Sequence, residues 1–165
     1  MWKGVLPAVT TKFTADDGLD HTEMERCFAL QMQAGCDGLI VAGSLGEGPM
    51  LTQEERLAVL KTAQSVAGGK PVLATVCEAS THAACDMARK AAKAGASGLM
   101  VVPSPIYHTD PAETEANLRA IASAGDLPVM IYSNRVAYRV DVTVDLMERL
   151  ADDPRFVAVK ESSDD

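Results

Sequence analysis

Apolar residues come along this chain in short unbroken runs, each preceded by a glycine and a turn. Ala34-Gly35-Cys36-Asp37-Gly38-Leu39-Ile40-Val41 is echoed sixty residues later by Ala94-Gly95-Ala96-Ser97-Gly98-Leu99-Met100-Val101. A second pair interleaves with it: Gly69-Lys70-Pro71-Val72-Leu73-Ala74-Thr75 and Asp126-Leu127-Pro128-Val129-Met130-Ile131-Tyr132. Apolar runs without polar alternation mark strands buried on both faces. The glycine or turn ahead of each suits the end of a helix. Strands are therefore expected to begin near Val5, Leu39, Val72, Leu99, Val129 and Phe156.

Helical patterns fill the intervals. The first covers 22–33, with Met24, Cys27, Phe28, Gln31 and Met32 recurring at helical spacing. Thr52-Gln53-Glu54-Glu55 opens a second as a capping box, with Leu57, Leu60, Ala63 and Ala67 as its apolar face. Ser80 or Thr81 begins a third that runs to Ala94. Asp110-Pro111 begins a fourth, with proline at the first helical position, where its missing N–H costs nothing. A fifth spans about 142–150. Strands alternating with helices in steps of about 27 to 34 residues make βαβ units and a parallel sheet.

A doubly wound dinucleotide-binding sheet would carry G-x-G-x-x-G after an early strand, and Gly43-Ser44-Leu45-Gly46-Glu47-Gly48 does not supply it. The phosphate-loop spacing G-x-x-x-x-G-K-[ST] is missing as well. The expected fold is α/β: a (β/α)8 TIM barrel of which this chain supplies about the first six strands and five helices. Residues 1–165 are expected to form one partial barrel domain. A whole barrel takes about 250 residues. The 165 residues are thus either part of a longer chain or leave two strand edges unpaired.

Composition sharpens this picture. Aromatic content of 4% within 47% hydrophobic residues fits helices packed on small branched strands better than an aromatic-rich β-sandwich. A net charge of -8 argues against nucleic acid or an anionic membrane as partner. Cys27, Cys36, Cys77 and Cys85 form no C-x-x-C pair and, with three histidines, no zinc spacing, so reduced thiols in core gaps and no metal are expected. No apolar run approaches the roughly 18–20 residues of a membrane span. The opening Met1-Trp2-Lys3-Gly4-Val5-Leu6-Pro7 lacks the long apolar stretch of a signal peptide, and a cytoplasmic location is expected.

In parallel barrels the reactive groups stand at the C-terminal ends of strands and on the loops that follow. Those positions here are Gly43 to Glu47, Cys77-Glu78, Pro103 to His108, Tyr132 to Arg135, and Lys160 to Ser163. Val157-Ala158-Val159 reads as a buried strand, so Lys160 either snorkels to the rim or is held inside. Alternation puts Ala158 and Lys160 on one face. An amine raised into the barrel mouth sheds water and becomes a nucleophile toward carbonyls. Tyr132 ends the neighbouring strand, where a phenol either relays protons or is a core residue with a wet hydroxyl. The glycines around Ser44 and Leu45 can converge backbone N–H groups on a carboxylate, or form a plain βα turn.

Together these segments resemble the dihydrodipicolinate synthase / N-acetylneuraminate lyase family of class I aldolases. The resemblance rests on Gly4-Val5-Leu6-Pro7-Ala8-Val9-Thr10-Thr11, Gly43-Ser44-Leu45-Gly46-Glu47 (Gly-Thr-Thr-Gly-Glu in the family), Leu51-Thr52-Gln53-Glu54-Glu55-Arg56, Leu127-Pro128-Val129-Met130-Ile131-Tyr132 and Val157-Ala158-Val159-Lys160-Glu161-Ser162-Ser163. It covers the whole chain in register. The family implies a Schiff-base lyase that joins its lysine to pyruvate or another small 2-oxo acid, needs no cofactor, and assembles as a homotetramer. By position Lys160 is the imine lysine and Tyr132 the proton relay. Ser44 and the backbone at Leu45 hold the carboxylate, and Tyr107 falls near the loop tyrosines after the fourth strand. A truncated barrel that keeps these motifs without activity, or only binds a partner, is the competing expectation.

Departures from the family pattern bear on the substrate. Leu45 stands where the second threonine would be, removing a hydroxyl. Ala137 stands where the synthase subgroup carries arginine, Arg139 where many relatives have glycine, and Arg135 where several have proline. The pattern points away from dihydrodipicolinate synthesis itself. It points toward catabolic members such as aldolases or dehydratases of 2-keto-3-deoxy sugar acids, or deaminases of pyrroline carboxylates. Arg135 and Arg139 each either bind a substrate anion or are solvated loop arginines.

Overall fold

The computed structural model describes residues 2–103 and 109–162. They form α1 (His21–Gln33), β1 (Leu39–Val41), α2 (Gln53–Val66), β2 (Val72–Val76), α3 (Thr81–Lys93), β3 (Gly98–Val101), α4 (Pro111–Gly125), β4 (Val129–Ser133), α5 (Arg135–Tyr138), α6 (Val144–Leu150) and β5 (Phe156–Glu161). β1 to β5 are the second to sixth expected strands. No described helix is long and apolar enough to cross a membrane. The chain divides into two compact units, Met1–Thr75 with Lys93–Gly98, and Val76–Ala92 with Leu99–Asp165.

In the first unit, β1 pairs in parallel with β2, Leu39 opposite Val72 and Val41 opposite Ala74, and both strands are buried throughout. Such two-faced burial is what unbroken apolar runs require. The strand expected near Val5 is reduced to a single parallel bridge between Ala8 and Ile40. Its carbonyls still pair, Val5 accepting from Asp37 N–H and Pro7 from Ile40 N–H, at 2.8 and 2.9 Å. Pro7 has no N–H to continue the ladder, which accounts for the shortened pairing.

α1 is capped by Asp20, whose carboxylate accepts the Glu23 N–H at 2.9 Å. It buries Met24 and Phe28, while Gln31 lies outside. α2 starts at the capping box of Thr52 and Glu55. Of its expected apolar face, Leu60, Ala63 and Ala67 are buried and Leu57 is half-buried, and the buried face widens to take in Arg56, Val59 and Thr62. The hydroxyl of Thr62 donates to Ala58 O and meets the His21 ring nitrogen at 2.7 Å, tying α2 to the start of α1.

In the second unit, β4 pairs in parallel with both β3 and β5. α4 begins at a second capping box, Asp110 with Glu113, and carries proline in its first turn as expected. Gly125 closes α4 where a Cβ would come within 2.9 Å of Leu99 and 3.3 Å of Ala88, so a bare backbone is what lets α4 sit tight on β3 and α3. α4 is clamped to α6 by Glu115, which accepts from Arg149 at 2.7 Å and from Arg119 at 2.9 Å. Arg149, then Arg119, holds the Glu115 carboxyl below its ordinary range.

Two features of this unit depart from the sequence reading. α5 is a single unexpected turn, made by the Asn134 side chain accepting the Ala137 N–H at 3.0 Å. β5 is not a buried strand: Phe156, Val157, Ala158 and Lys160 are half-buried, and Val159 is 39% exposed. Among the described strands only β4 pairs with it, so its other edge and part of its faces stay uncovered.

Candidate active site

The two groups of residues singled out by the sequence lie in different units. In the first unit, the loop after β1 turns sharply enough that Ala42 and Glu47 both take left-handed backbone angles, φ 53° and 57°. This costs an L-residue roughly 1–2 kcal/mol. Close packing holds it there. A Cβ on Gly48 would collide with the carbonyl oxygen of Ala42, and one on Gly46 would come within 2.8 Å of Val9 O. The buried hydroxyl of Thr11 donates to Gly46 O at 2.6 Å. The amides of Glu47 and Gly48 bond inside the loop, to Ser44 O and Gly43 O. Ser44, Leu45 and Glu47 are exposed on this loop, Leu45 by 69%.

In the second unit the chemistry gathers where β4 and β5 end. The pairing begins with Val129 opposite Phe156, shifts by one residue, and continues with Met130 opposite Ala158 and Tyr132 opposite Lys160. A bulge of this kind places two residues of one strand against one of the other. Without it Val159 would face Tyr132, and Lys160 would project from the opposite side of the strand. With it, Lys160 Nζ lies 4.1 Å from the centroid of the Tyr132 ring. A cation over an aromatic face is held by the ring quadrupole.

Tyr132 is 7% exposed and Ser133 beside it 2%. The Tyr132 hydroxyl accepts from Asn134 Nδ2 at 3.1 Å. Tyr138, the last residue of α5, meets the Tyr132 ring edge-on at 5.6 Å between centroids, the planes 75° apart. Past the strand, Ser162 N–H donates to Ser133 O at 3.0 Å and extends the β4–β5 pairing beyond the lysine. The result is an amine stacked on a phenol whose oxygen and ring are each contacted by another side chain.

Among the other sequence candidates, Arg135 pairs with Asp141 at 3.5 Å on the surface. Arg139 ends α5 in the left-handed region, φ 59°, and is exposed. Cys77 is buried after β2, its amide donating to the Glu78 carboxylate at 2.9 Å. Tyr107 lies outside the described residues. No group of three or more His, Cys, Asp or Glu among the described residues could hold a metal ion. Sequence reasoning gave no role to Asn134, although it lies in the stretch from Tyr132 to Arg135, and missed Tyr138. The available signal was an asparagine two residues past a strand-end tyrosine, the residue type that starts a helix by capping it.

The model of the dihydrodipicolinate synthetase family matches residues 1–165. The chain belongs to that family. The 4-hydroxy-tetrahydrodipicolinate synthase of Gluconacetobacter diazotrophicus is 36% identical over 165 residues, covering 99% of this chain and 55% of the relative. Among solved structures, the Escherichia coli K12 prophage protein YagE, a family member crystallised in complex with pyruvate, superposes with a TM-score of 0.95 at 30% identity, over 100% of this chain and 56% of its own. A catalytic lysine mutant of the Ruminococcus gnavus sialic acid aldolase superposes at 0.92 with 25% identity, over 99% of this chain and 54% of its own. The chain therefore spans about half the length of the family members it matches, and its α/β fold is a partial TIM barrel of this family.

Proposed function

We propose that this chain carries the imine-forming residues of a Schiff-base lyase acting on pyruvate or another small 2-oxo acid, with Lys160 as nucleophile and Tyr132 as proton relay. The observation that carries the reading is the Lys160 amine 4.1 Å from the Tyr132 ring, on strands registered to put them opposite one another. The uncharged amine adds to the C2 carbonyl, the carbonyl oxygen takes up protons and leaves as water, and a protonated imine remains. That imine draws electrons from C3, so a bond from C3 to a carbon substituent can break, or a proton can leave C3 ahead of a leaving group. A phenol at hand carries protons to and from the departing atoms. Two named relatives support the substrate class, one holding pyruvate and one being a sialic acid aldolase with a catalytic lysine.

The family pattern adds Ser44 and the backbone at Leu45 as the carboxylate holder, Tyr107 as a further loop contact, one partial barrel domain over 1–165, and a cytoplasmic homotetramer that works without a cofactor. A barrel that keeps these motifs without forming an imine is the second reading, favoured by Leu45 standing where the family's second threonine would supply a hydroxyl.

Borohydride reduction in the presence of pyruvate, followed by peptide mass mapping, decides between them. The expected result is a reduced adduct on the peptide containing Lys160, missing from Lys160→Ala. A folded sample that gives no adduct with pyruvate, nor with a longer 2-keto-3-deoxy acid, overturns the lyase reading for this chain.

A further inference from the structure

The Asn134 side chain has two partners whose chemistry fixes its orientation. Its Oδ1 accepts the Ala137 N–H at 3.0 Å, which an amide nitrogen could not do. The other end, placed 3.1 Å from the Tyr132 hydroxyl, must then be the NH2 group, and it donates. One side chain thus starts α5 and holds the phenol oxygen. The same four-residue turn ends on Tyr138, edge-on to the same ring. Tyr132 is gripped at its oxygen by the residue that starts α5 and at its ring by the residue that ends it, while Lys160 covers its face.

A donor aimed at the phenol oxygen does more than fix the ring. It occupies one lone pair, so the hydroxyl proton points away from Asn134. It also bonds more strongly once the oxygen is negative, since a hydrogen bond to an ionised acceptor is roughly twice as strong as a neutral one. The phenol then gives up its proton more readily and is held in place while it lacks it.

We infer that Asn134 is a positioning residue for Tyr132: through its side-chain amide it aims the phenol and eases the proton's departure. This rests on the reading of Tyr132 as the relay. Neither α5 nor this amide follows from the motifs that carry the family resemblance.

The test separates capping from donation. Asn134→Asp keeps an excellent cap for α5 and replaces the donor with a negative acceptor. Asn134→Ser keeps a capping oxygen, adds no charge and withdraws the amide. Tyrosine ionisation is followed in the intact chain by near-ultraviolet difference titration, with Tyr132→Phe identifying the Tyr132 component. In Asn134→Asp that component is expected to move to higher pH by about 1 unit, since the bond favouring the ionised form is lost and a like charge is added. Asn134→Ser should move it the same way by less. If the wild type forms the Lys160 adduct, the pH profile of its formation should shift upward in both variants while the adduct stays on Lys160.

An unmoved Tyr132 component in both variants overturns the inference, because a merely structural cap would give that result. The titration needs no substrate, so the two failures can be told apart. A shift without any wild-type imine removes the lyase reading and leaves the hold on the phenol. An imine without a shift removes Asn134 alone.

Discussion

The loop after β1 and the ends of β4 and β5 are both candidate functional regions, yet they are held in different ways. The loop is fixed by backbone against backbone: glycines admit carbonyls that no side chain could pass, and a buried threonine bonds one of those carbonyls. The strand-end cluster is fixed by side chains and by register, with an amide on a phenol, ring on ring, and an amine brought opposite by a one-residue shift. A site part made of backbone fails by losing stability. One made of side chains fails by losing its chemistry while the protein stays folded.

The sharpest way to break the comparison is Gly48→Ala. Its methyl meets the immovable carbonyl of Ala42, and the expected loss is about 3 kcal/mol of unfolding free energy by urea denaturation. A variant as stable as wild type would show that the loop backbone yields. Thr11→Val leaves the Gly46 carbonyl without its hydroxyl donor, at about 1–2 kcal/mol in the same measurement. An unchanged midpoint would mean that another donor replaces it. Tyr138→Leu, on the strand-end side, should cost least, about 0.5–1 kcal/mol for the lost aromatic pair. Its larger effect should be a weaker tyrosine signal in near-ultraviolet circular dichroism. If stability falls further than in Thr11→Val, the two regions are not held as differently as described.

How much could be read beforehand follows the same division. The capping box at Thr52, the start of α4 at Asp110-Pro111, and the runs that became β1 to β4 are local features, written within a few neighbouring residues. Where packing decides, the reading slipped. α2 left Leu57 only half-buried, β5 proved half-buried, and the strand near Val5 shrank to a bridge beside Pro7. Alternation set Ala158 and Lys160 on one face, but nothing in either strand announces the shift between Val129 and Met130 that sets Lys160 against Tyr132. The turn from Asn134 to Tyr138 offered only its capping asparagine as a signal, since the ring contact at its end is visible only in three dimensions.

That shift in pairing makes the neighbourhood of the lysine a matter of counting rather than of residue type. β5 carries one residue more than β4 ahead of the point where the two fall into step. A lineage that excised the surplus residue would keep Tyr132 facing Lys160 on a plain ladder. One that kept it but let the strands slide would turn the amine to the other face without a single substitution. Across this stretch the face the amine takes depends on how many residues precede it in β5, and a ladder without the shift would set the phenol against Val159.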